Sequence, residues 1–89
     1  MYDCLIKDAN IVDGTGATSY SGNIAIKDGL IVGVGGVDGQ ARETINASGA
    51  YATPGWVDVH THYDGQVSWD DKIDPSFSHG VTSIVMGNC

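Results

Sequence analysis

Residues 55–62, GWVDVHTH, form an apolar run that turns polar at its end, and residues 81–87, VTSIVMG, form a second continuous apolar run. Val and Ile in short runs bounded by Gly and Pro read as strands. The residues between them, YDGQVSWDDKIDPSFSHG, lack a 3.6-residue period and contain Gly65 and Pro75. They predict at best a short, irregular helix. Strand, crossover of about 20 residues and strand is the outline of a βαβ unit, whose strands are covered on both faces. The chain stops just after the second strand with no helix to cover it, so the sequence reads as truncated.

Upstream of Pro54 the composition changes. Ten of the 13 glycines lie in residues 1–55, whereas all three histidines and both tryptophans lie beyond. Residues 2–7 (YDCLIK), 10–13 (NIVD), 23–27 (NIAIK), 30–34 (LIVGV), 43–46 (ETIN) and 50–53 (AYAT) are short strand candidates separated by turns. Asp28-Gly29 between two β-rich runs predicts a hairpin over 24–34, because a type I′ turn needs positive φ at both central positions. Two regions follow: a β-rich portion at 1–54, and a second at 55–89 with strands at about 55–62 and 81–87. No internal repeat is present.

Four basic and 11 acidic side chains give a formal charge of −7. The four cations, Lys7, Lys27, Arg42 and Lys72, are scattered, which excludes the clustered footprint of a nucleic-acid binder. An anionic membrane surface would repel the chain for the same reason. The opening residues MYDCLIKDAN, with Asp3 and Asp8, do not read as a signal peptide, and no run approaches the roughly 18 apolar residues of a membrane span. Cys4 and Cys89 carry no sign of an oxidising compartment, so a cytoplasmic protein with free thiols is expected. Eighty-nine residues suffice for a small core but not for a (β/α)₈ barrel of about 250.

His60-Thr61-His62 is the first chemical constellation. Alternation along a strand puts both imidazoles on one face, about 7 Å apart along the chain. Such a pair can serve one metal ion, or one each of a close pair of ions, and neutral imidazole is a common zinc ligand. Asp58 shares that face and offers a carboxylate to orient an imidazole through its second N–H. Cys89, just past the second strand, is either a zinc-binding thiolate or a small buried apolar residue; its place at the strand end favours ligation. Asp64, two residues after the pair, is a possible neighbour of the site. The ordinary readings hold elsewhere: His79 is structural, Cys4 is core, and Trp56 and Trp69 pack. Asp70, Asp71 and Asp74 are solvated loop carboxylates, and GVGGVDG (33–39) matches no phosphate loop.

PGWVDVHTHYDGQ followed by SHGVTSIVMGNC resembles the amidohydrolase superfamily, and within it the N-acyl-D-amino-acid deacylases, or D-aminoacylases. YDCLIKDANIVDGTG with GNIAIKDGLIVGVG is similar to the small β-domain that opens many of these enzymes. The resemblance spans essentially the whole chain as an N-terminal fragment. It implies a mixed fold: a β-sandwich portion from 1–54, then the first βαβ unit of a metal-dependent (β/α)₈ (TIM) barrel, incomplete in this chain. It also implies His60, His62 and Cys89 as ligands of one or two Zn²⁺ ions, with a general acid/base aspartate beyond residue 89. The implied activity is hydrolysis of a linear amide in a small N-acyl-amino-acid substrate, with these 89 residues inactive alone. Two other readings stand: a cyclic-amide hydrolase of the dihydroorotase or hydantoinase type, and a non-catalytic β-rich module.

Overall fold

The computed structural model describes residues 1–87. The chain divides into two compact units, Met1–Pro54 and a second that begins at Gly55.

The first unit is a five-stranded sheet of β1 (Tyr2–Ile11), β2 (Tyr20–Lys27), β3 (Leu30–Gly35), β4 (Ala41–Asn46) and β5 (Tyr51–Ala52). Four strands run in the order β3-β2-β1-β4, and β5 also pairs with β1. β2 and β3 form the expected hairpin, with Lys27 opposite Leu30 and both turn residues at positive φ, Asp28 at 53° and Gly29 at 74°. The core is small: Leu5, Ala9, Ile11 and Ala25 are its buried apolar residues.

Residues 2–7 and 10–13, read as two strands, are one strand with a bulge. The register against β2 slips between Ile6 and Ala9, and Asp8 sits at φ 58°. An extra residue in the left-handed region leaves its N–H out of the ladder, and here the Asn23 side-chain carbonyl takes that N–H at 3.0 Å. Sequence alternation alone does not reveal a slip that a side chain from another strand repairs. The same bulge divides the other edge of β1. β4 runs parallel to its first part, β5 to its last, and between them Gly49 N–H donates to the Asp8 carbonyl at 2.7 Å.

The second unit has a parallel pair, β6 (Trp56–Asp58) and β7 (Val81–Ile84). The crossover holds only two single 3₁₀ turns, Gln66–Ser68 and Phe77–His79. Gly55 precedes β6 because a Cβ there would run into the Thr82 side chain. Both strands are shorter than expected, and 55–62 is not a buried strand: Trp56, Val57 and Val59 are 60–70% exposed. Two strands and two single turns supply too little surface to cover both faces of a parallel pair.

Candidate metal centre

The end of β6 departs from the strand in a specific way. Val85 N–H donates to the Asp58 carbonyl at 2.9 Å, and the Val85 carbonyl then accepts Thr61 N–H at 3.0 Å. A regular parallel ladder would use the N–H of residue 60 at that point. One extra residue is therefore inserted, a parallel bulge. The displaced His60 N–H turns back to Asp58 Oδ1 at 3.1 Å. In this geometry the Asp58 carboxylate meets the backbone of His60 rather than an imidazole.

Thr61 is the one buried polar residue among those described, and its Oγ1 donates to the Val85 carbonyl at 2.8 Å. With Thr61 turned inward, His60 and His62 lie exposed on either side of it. They stand beyond the strand end, not within it as expected, because β6 stops at Asp58. Their ring centres are nonetheless 5.1 Å apart, tilted by 59°. A Zn–N bond of about 2.0–2.1 Å places an imidazole centre about 3.2 Å from the metal, so two rings at a tetrahedral angle stand about 5.2 Å apart. The observed separation fits two ligands of one tetrahedral ion. Among the described residues no three His, Cys, Asp or Glu side chains gather closely enough to hold a metal, so the described residues supply a pair of imidazoles and no complete site. Cys89 lies outside the described residues.

Asp64 ties the loop after the histidines to the segment after β7: its Oδ1 accepts the Gly87 N–H at 3.2 Å. The rest of the crossover is organised by its own side chains. Tyr63 and Ser76 hydroxyls are 2.8 Å apart, and Ser76 N–H donates to the Tyr63 oxygen at 3.2 Å. Asp70 accepts from Gln66 Nε2 at 2.8 Å and from the Lys72 and Asp74 N–H groups at 3.0 and 3.1 Å. These bonds, the Gln66 amide foremost, hold the Asp70 carboxyl below its ordinary pKa. Asp70 is thus a loop organiser and not only a solvated charge. His79 Nδ1 lies 2.7 Å from the Pro75 carbonyl, a structural contact in the second 3₁₀ turn. Trp56 and Trp69, expected to pack, are 61% and 74% exposed, one lying against Gly80 and the other against Gly65. The ordering parts that sequence reading missed are Thr61 and Tyr63. Their only signal was a small polar residue between the histidines and an aromatic just after them.

No family model matches the chain. An uncharacterized protein of Mycobacterium tuberculosis is 40% identical over 91 residues, which cover 99% of this chain and 15% of that one. An N-acyl-D-aspartate deacylase of Alcaligenes xylosoxydans xylosoxydans is 35% identical over 98% of this chain and 18% of its own. A crystal structure of D-aminoacylase superposes with a TM-score of 0.91 at 31% identity, covering all of this chain and 19% of that one. The chain is a homologue of the N-acyl-D-amino-acid deacylases, which are amidohydrolases. An N-acyl-D-glutamate deacylase from Bordetella bronchiseptica, solved with zinc and a phosphonate inhibitor, superposes with a TM-score of 0.87 at 35% identity, over 99% of this chain and 19% of that one. A D-hydantoinase of Rhizobium radiobacter is 38% identical over 85 residues, 96% of this chain and 18% of its own. This homologue therefore spans less than a fifth of each of these relatives.

Proposed function

We propose that this sequence belongs to a metal-dependent hydrolase of linear amide C–N bonds whose substrate is an N-acyl-D-amino acid. The observation that carries the reading is the His60–His62 pair, set at tetrahedral-ligand spacing on the rim of a parallel strand pair, in a chain that superposes throughout on D-aminoacylase. In this reading residues 1–54 contribute to a β-sandwich, and β6 and β7 open a (β/α)₈ barrel whose ligands gather at the strand ends. His60 and His62 would hold the metal, with Cys89 as a third ligand. Bound zinc would supply a water of lowered pKa and polarise the scissile carbonyl.

The residues of this chain act by holding and orienting. Thr61 fixes the backbone between the two imidazoles through Val85. Asp58 fixes the His60 backbone, so the two rings project from a braced turn rather than a free loop. A carboxylate that takes the water's proton and passes it to the leaving amine is expected from a later strand. For that reason residues 1–89 alone are expected to lack activity.

The test is expression of the complete open reading frame that carries these residues, loaded with zinc. Release of a free D-amino acid and a carboxylate from an N-acetyl-D-amino acid is the expected result. A stop codon directly after Cys89 would overturn the enzyme reading. A second reading, a cyclic-amide hydrolase, has its own support in the D-hydantoinase match; opening of a hydantoin ring without action on N-acetyl-D-amino acids would decide for it.

A further inference from the structure

We infer that Tyr63 is a positioning residue for His62, acting through Ser76; this rests on the metal-site reading above. Burial alternates along the turn after β6: Thr61 is buried, His62 exposed, Tyr63 half-buried and Asp64 exposed. His62 therefore stands between two residues that are drawn inward. Thr61 secures one side, by its two bonds to the Val85 carbonyl just past the end of β7. Tyr63 secures the other.

The Tyr63 phenol reaches across 13 positions of sequence to Ser76, which is itself half-buried between exposed neighbours. Its oxygen accepts the Ser76 N–H at 3.2 Å, and one of the two hydroxyls donates to the other at 2.8 Å. The Ser76 carbonyl in turn accepts the N–H of Val81, the first residue of β7, at 3.1 Å. A connected path thus runs from the residue after His62 to the start of β7, while the residue before His62 is tied just past its end. The Tyr63 backbone is held as well, because its carbonyl accepts the Val67 N–H at 2.9 Å at the first 3₁₀ turn. Both neighbours of His62 are therefore referred to a single strand, and the imidazole has only its own side-chain torsions left to adjust. Groups that orient a metal ligand from outside the ligand set are worth about 10–100-fold in metal affinity.

Tyr63→Phe keeps the ring and its packing, and removes only the oxygen that Ser76 needs. The experiment uses the complete protein that carries this sequence, with Co²⁺ as the probe. Its readouts are cobalt affinity and the hyperfine-shifted ring N–H signal of His62, identified by its disappearance in His62→Ala. Tyr63→Phe should bind cobalt at least about tenfold more weakly and should shift the His62 signal. Ser76→Ala leaves the Ser76 N–H on the phenol and should lose less affinity. The double variant should lose no more than Tyr63→Phe alone, because the two residues act along one path. An unchanged affinity or an unmoved His62 signal in Tyr63→Phe would overturn the inference. Full addition of the two single losses would overturn it too, by showing that Tyr63 does not act through Ser76. Absence of any histidine signal in cobalt-loaded wild type would instead remove the metal reading, and the inference with it, which separates the two failures. Hydrogen exchange at the Ser76 amide of the unmutated, metal-free protein needs no variant. It should be slowed about tenfold relative to a free amide, and exchange at the free rate would show that the phenol does not hold Ser76.

Discussion

Thr61 reaches the carbonyl oxygen of Val85 twice, by its backbone N–H at 3.0 Å and by its hydroxyl at 2.8 Å. The first bond remains if the hydroxyl is removed, so the acceptor is never orphaned. Thr61→Val should therefore cost about 1 kcal/mol, the net worth of one hydrogen bond, and Thr61→Ser should restore most of it. Urea unfolding followed by tryptophan fluorescence reads this directly, since Trp56 and Trp69 both lie in the second unit. An unchanged midpoint in Thr61→Val would show that the hydroxyl contributes nothing.

His60 and His62 are expected to act as a pair. Removing either imidazole leaves one ring of the pair, so His60→Ala and His62→Ala should each weaken zinc binding by at least about tenfold. Isothermal titration of the complete protein checks it. Loss in one variant only would assign the two rings to different ions or different roles.

How much of this site was legible beforehand depends on which interactions are local. The His-x-His pair, the Asp28-Gly29 turn and the position of β7 follow from residue type and short-range pattern. The bulges do not, because each is closed by a group far away in sequence: Asn23 for Asp8, Val85 for Thr61. Extending the apolar run through residue 62 missed the strand end at Asp58 for that reason. A run of Val, His and Thr has no local mark of an inserted residue.

The hairpin turn offers a sharper contrast between neighbours. Gly29, at φ 74°, has open space around it, so a methyl group meets no neighbour and the penalty is conformational alone. Gly29→Ala should destabilise the first unit by about 1 kcal/mol. Asp28→Asn should stay within about 0.5 kcal/mol, since Asn tolerates the same region. Thermal unfolding of the three proteins side by side distinguishes these outcomes.

Asp70 gives the crossover a pH dependence of known sign. Its carboxyl pKa is lowered by the Gln66 amide first and by backbone N–H groups next. The charged form is thus the one the fold favours. Its contribution is complete above the ordinary carboxylate value of about 3.9 and is lost as pH falls through the lower folded value. A carboxyl-carbon NMR titration should place the Asp70 midpoint below that of an unstructured Asp, and Gln66→Ala should move it upward. A midpoint unmoved by Gln66→Ala would assign the shift to the backbone alone.

The divided edge of β1 bears on synthesis from the N-terminus. β1 obtains its first neighbour once residues 20–27 have emerged, by a local antiparallel pairing. Its opposite edge takes β4 and β5 in succession, and these lie at 41–46 and 51–52. A nascent chain halted before residue 41 therefore presents one satisfied and one bare edge on the strand that holds Leu5, Ala9 and Ile11. Bare edges recruit other chains, so between those two events the free edge of β1 is open to pairing with another chain.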